Sequence, residues 1–137
     1  MKVLKYIAIP LAAVILSACG GKGEAEPGEI VVGFHKAMTS MDFDTAAGYC
    51  TAYGAVNEYL AAYQEACEKN LKRDKDATEI AAELLSNAEV EIEKTSKNKN
   101  IRTVFYTISD GCEQTKKKIA TLEKVEGEWR IAEVKDR

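Results

Sequence analysis

Glu89-Val90-Glu91-Ile92-Glu93 alternates acid and aliphatic residue by residue. Successive side chains of a strand point to opposite faces, so this stretch reads as a strand with one wet and one dry face. Before it, apolar residues recur every three or four positions. After it, β-branched and aromatic runs are separated by turn residues. The period changes after Asn87, and that change divides the chain into helices followed by a sheet.

Downstream, Ser96–Asn100 reads as a polar turn. Ile101–Ser109, "IRTVFYTIS", is rich in strand formers. Asp110-Gly111 is a turn signal, Gln114–Val125 a third strand and Trp129–Lys135 a fourth, joined through Glu126-Gly127-Glu128. Consecutive strands with short turns imply an antiparallel meander. Upstream, Pro27 suits a helix start, with Ile30, Phe34, Met38 and Met41 as its stripe and Val31 and Ala37 beside it. Asp42 reads as the N-cap of a short helix carrying Phe43, Ala46, Ala47 and Cys50. Gly54 marks a break. A third helix carries Val56, Tyr59, Leu60, Tyr63, Cys67 and Leu71 on one side. Lys72–Asp76 reads as a charged turn or helix end, and Asp76 with Glu79 as a capping box for a helix through Leu84 and Leu85. Helices first and sheet second imply an α+β fold with N-terminal helices on one face of a four-stranded antiparallel sheet.

The first eighteen residues read differently. Lys2 and Lys5 form a basic start, and Ile7–Leu16 is apolar except for Pro10. That run falls short of the roughly 20 residues a spanning helix needs, and it matches a secretory signal over residues 1–18. Leu16-Ser17-Ala18-Cys19 has the aliphatic, small, small, cysteine order of a lipobox and resembles bacterial lipoproteins generally. A thiol can carry a diacylglyceryl thioether, and small residues before it fit a narrow peptidase site. Cys19 is therefore expected to be the acylated first residue of the mature chain, with palmitate-type chains as membrane anchor. One chain binds a membrane marginally and two hold firmly, at roughly 0.8 kcal/mol per buried CH₂. Gly20, where an Asp favours inner-membrane retention in enterobacteria-like systems, favours the outer membrane of a bacterial cell envelope. Residues 19–28 are rich in glycine and form a tether spanning roughly 15–18 Å. Residues 29–137 make one domain. Nineteen basic against 22 acidic residues give −3, and −5 once Lys2 and Lys5 are removed, which argues against nucleic acid as a partner.

A wider resemblance rests on "MDFDTAAGYC" (Met41–Cys50) and "SDGCEQTKKKIATLEKVEGEWRI" (Ser109–Ile131), the latter ending in Leu122, Lys124, Gly127, Trp129, Arg130 and Ile131. These resemble a family of bacterial lipoproteins of unknown function with a cystatin-like fold of the nuclear transport factor two type. The resemblance implies helices packed on a strongly curved sheet, often with a pocket between them. It supplies no catalytic residue and no cofactor.

Candidate pocket residues are His35, Tyr59, Tyr63, Tyr106 and Trp129, with Tyr53 at a mouth. Each also has a plainer reading. Large aromatics dominate cores, so Trp129 is expected to pin the last strand under the helices. A lone histidine on a helix edge is more often a packing residue than an acid or base, although histidine is the usual one near neutral pH. Glu89, Glu91 and Glu93 should face solvent, and Asp42 and Asp44 serve helix capping. Lys116 and Lys118 share one strand face and Lys117 takes the other. They read as solvated charges, some paired with acids on a neighbouring strand. There is no Cys-x-x-Cys pair or histidine cluster, so no metal site is expected. Cys50 and Cys67 lie on apolar stripes of adjacent helices. The plainer reading is two buried thiols; a bridge between them would close a loop of about 17 residues and contribute roughly 3 kcal/mol. Cys112 is the odd thiol. Two function classes follow: a non-catalytic module binding a small apolar ligand or protein partner at the membrane, and an isomerase- or cyclase-like enzyme using His35 or a tyrosine.

Overall fold

The structure, a computed structural model, describes residues 25–109 and 115–137. The signal, Cys19, most of the tether and Cys112 lie outside the described residues.

Among the described residues four helices precede four strands. Helix α1 (Pro27–Thr39) opens with Pro27 at its first turn, and Glu29 Oε1 accepts from the Glu26 N–H at 3.0 Å. Its buried side holds Val31, Phe34, Ala37 and Met38. Met41 lies beyond the helix in a left-handed turn, φ 67°, which ends the stripe expected from the sequence. Helix α2 (Phe43–Gly48) is capped by Asp42, whose carboxylate accepts from the Thr45 N–H. Helix α3 (Ala55–Arg73) starts after Gly54, whose φ of 136° and close approach to the Ala132 carbonyl suit glycine. Helix α4 (Lys75–Ser86) is capped by Asp74, which accepts from the Ala77 N–H at 3.1 Å, and not by the expected Asp76. The cap falls two residues earlier because only Asp74 has left helical geometry.

The strands are β1 (Glu89–Asn98), β2 (Ile101–Ser109), β3 (Thr115–Val125) and β4 (Glu128–Asp136). They form an antiparallel meander in chain order. Strand β1 runs through most of the expected polar turn, so the reversal shrinks to Lys99-Asn100, with Lys99 at φ 57°. Glu126 and Gly127 both take positive φ, as a tight two-residue hairpin requires. Bulges interrupt β1 between Ile92 and Lys94 and the β3–β4 pair between Thr121 and Leu122. Such bulges bend a strand and re-aim its side chains.

The core lies between the helices and one sheet face. Val104, Ala120 and Val134 stand in register across β2, β3 and β4, all buried. Leu122 and Ile131 are fully buried beside them. Strand β4 also reaches back to the first half of the chain. Cys50 forms a parallel bridge to Ile131, closed by Thr51 N–H to the Ile131 carbonyl (2.9 Å) and Ile131 N–H to the Tyr49 carbonyl (2.8 Å). The Arg130 guanidinium donates to the Gly48 carbonyl at 2.6 Å.

Candidate functional site

The sequence-derived candidates fall in three places. Tyr106, Lys118 and Asp136 stand in register across β2, β3 and β4. Helix α1 lowers His35 towards this row, and α3 lays the Tyr59 ring 5.5 Å from the Lys118 ammonium. Lys118 binds Asp136 at 2.6 Å, with 11% of its own side chain exposed and 80% of the Asp136 side chain. His35 is 7% exposed. Burial, with Lys118, Lys36 and Lys116 adding positive charge, drives the His35 imidazole from 6.5 down to about 4. Burial alone would lower the Lys118 ammonium, but Asp136 and Tyr59 override it and hold it above its usual value. Lys118 in turn holds the Asp136 carboxyl low. Burial raises the Tyr106 phenol well above its ordinary range. At neutral pH the cluster therefore contains the neutral His35 imidazole, the neutral Tyr106 phenol and one committed ion pair.

Tyr63 lies elsewhere, in a groove of about 490 Å³ between α3 and α4. Its walls are alanine-rich, with Ala66, Ala77, Ala81 and Ala82, and Asn70, Arg73 and Asp74 add polar groups. Burial pushes Tyr63 up to about 12 and also raises the neighbouring Cys67 thiol. Cys50 and Cys67 are both free thiols, with no bridge between them. Cys50 is buried, its Sγ donating to the Ala46 carbonyl at 3.4 Å, while Cys67 lines the α3–α4 groove.

Trp129 occupies a third place, opposite Lys124, six residues along β3 from Lys118 or roughly 20 Å. It is 8% exposed and packed as core, with the Arg102 guanidinium 4.4 Å and the Lys124 ammonium 5.2 Å from its ring centre. A small cavity of about 240 Å³ beside it is lined by Ile30, Tyr49 and Arg130. Tyr53 is 88% exposed. The candidates thus do not share one cavity. His35, Tyr59 and Tyr106 converge; Tyr63 and Trp129 each stand apart.

The expected pairing of a lysine in the Lys116–Lys118 run with an acid on a neighbouring strand is found at Lys118 and Asp136. Lys118 is buried and not solvated, however, and sequence reading missed it and Arg102 as members of these sites. The signal was present: Lys118 alternates with Ala120 and Leu122, which places it on the core face. Glu89, Glu91 and Glu93 are exposed or on the wet face as expected. Two further grooves of about 660 Å³ each flank β1, one towards the start of α1 and one towards the end of α4, and both include Val32. Among the described residues no three His, Cys, Asp or Glu side chains gather as metal ligands, and no helix is long and apolar enough to cross a membrane.

Such geometry defines a small α+β domain with a locked polar cluster and open grooves. A scan against protein-family models, a search of curated proteins and a search of solved structures find no match to this chain.

Proposed function

We propose that the chain is a bacterial lipoprotein, held to the cell envelope by lipid on Cys19, with the outer membrane as its site. Its domain belongs with cystatin-like folds of the nuclear transport factor two type, and it works by binding, not by catalysis. The order of elements, helices and then a four-stranded meander, supports the fold assignment. The α3–α4 groove carries the binding reading. At about 490 Å³, with alanine walls and polar groups from Asn70 and Arg73, it suits a small apolar ligand with a polar head. The isomerase- or cyclase-like alternative would need His35 open to a substrate, whereas its side chain is packed beneath α1 and lines none of the described grooves.

Two experiments test the two halves of this reading. Labelled palmitate should enter the unaltered chain in its bacterial host and not Cys19→Ala; equal labelling of both would refute the anchor. Native mass spectrometry of the membrane-extracted protein should show a small bound mass. Ala82→Phe, which fills the groove from α4, should lose that mass while the far-ultraviolet circular dichroism stays unchanged. An unaltered protein with no bound mass would remove the small-ligand reading.

A further inference from the structure

Strand β1 is an edge strand: among the described residues no strand pairs with its outer side. It is ten residues long, ample for a ladder. Charged side chains on an edge usually keep other strands away. Here they are sorted: Glu89, Glu91 and Glu93 occupy the first half, Lys94 and Lys97 the second. An antiparallel copy of the same strand brings the acidic half of each beside the basic half of the other.

The bulge makes this register available. Residues opposed in an antiparallel pair share a face. In a regular strand, self-pairing about a two-fold axis centres on one residue, here setting Glu93 against Glu93 or Lys94 against Lys94. The bulge shifts the alternation. Val90 and Ile92, opposite Ile108 and Tyr106, face the core, but beyond the bulge it is Thr95 that does so, opposite Val104. The axis can now fall between Glu93 and Lys94. Ile92 then meets Thr95, Glu91 meets Ser96, and every pair keeps to one face.

Helix α1 repeats the polarity. Glu29 lines the groove beside Lys97, and Lys36 lines the one beside Glu89, with Val32 in both. The same axis turns the Glu29 end of one helix towards the Lys36 end of the other. Leu84, 61% exposed, stands in the same groove as Val32 and Val90.

We propose that two copies of this chain join edge to edge through β1, forming one continuous eight-stranded sheet with an isologous two-fold interface. This surface is independent of the α3–α4 groove.

The test is sedimentation of the full 137-residue chain carrying Cys19→Ser, in reducing buffer, so that neither lipid nor a disulfide drives association. The expected mass is twice the 15.0 kDa of one chain. Glu89→Lys/Glu91→Lys makes the strand basic, and Lys94→Glu/Lys97→Glu makes it acidic. Each alone should self-associate at least roughly tenfold more weakly, because the two halves of the strand then carry the same sign and no longer complement each other. An equal mixture should regain the double mass, which misfolded variants could not do. A monomeric parent chain overturns the proposal. So does a dimer that survives both charge reversals, since another surface would then hold it. Slow hydrogen exchange at β1 in a monomer also overturns it, because the edge would then be covered by the chain's own residues. Failure of two folded variants to combine has the same force.

Discussion

Trp129→Ala is expected to cost about 3–5 kcal/mol of folding stability, the range for deleting a buried tryptophan. The ring is 8% exposed and sits on β4 at the end of the core. Its loss also removes the surface that Arg102 and Lys124 cover, at 4.4 and 5.2 Å from the ring centre. Arg102 keeps its bonds to the Lys99 and Ile101 carbonyls, so part of the β1–β2 turn should hold. Urea denaturation followed by circular dichroism measures the change. Trp129→Phe keeps an aromatic face for the cations and should lose clearly less. A loss below about 1 kcal/mol for the alanine variant would show that the ring serves something other than the core.

Acid should weaken the fold well above the carboxylate range, through His35. Its pKa falls from 6.5 in the ordinary state to about 4 in the fold, chiefly because burial disfavours the imidazolium, with Lys118, Lys36 and Lys116 adding repulsion. Above pH 6.5 both states hold a neutral imidazole and His35 adds no pH dependence. Below it the unfolded chain takes up the proton first, so stability falls as pH falls and levels off below about 4. Between pH 7.5 and 5 the expected loss is roughly 2 kcal/mol. Asp136 and Glu93 act in the same sense at lower pH, where their depressed folded pKa values make protonation costly to the fold. His35→Gln should flatten the slope between pH 7.5 and 5 and leave the lower limb in place. An unchanged slope would place the titration elsewhere.

Much of this fold is legible one period at a time. The alternation at Glu89–Glu93, the strand formers of Ile101–Ser109 and the stop at Gly54 each reflect a local rule, and each local rule agrees with the final packing. The α1 stripe shows the limit. Ile30 and Val31 are adjacent and equally apolar, and only the sheet decides that Val31 is the one fully buried. The same holds for α4: its Ile80 and Leu84 look like core residues in a helix period but are 60% and 61% exposed, because α4 rests against α1 and α3 without burying any residue fully. The polar cluster was only half legible. His35, Tyr59 and Tyr106 were marked by residue type, but Lys118 was hidden in a run of three lysines, and its partner Asp136 is 18 positions away. Whether two helices bring cysteines together depends on their rotation, which spacing along the chain does not encode; Cys50 turned into the core and Cys67 towards α4.

The link from β4 back to the residues after α2 has a consequence for the order of events as the chain folds. Arg130 and Gly48 are 82 positions apart, and the Tyr49–Ile131–Thr51 bonds close a loop of the same size. Closing so long a loop is entropically costly before its contacts form, and topologies that depend on such closures fold slowly. Ile131 is fully buried, so the helices have no complete floor until the last strand arrives. A nascent chain therefore cannot lock its helices in place before β4 has been synthesised.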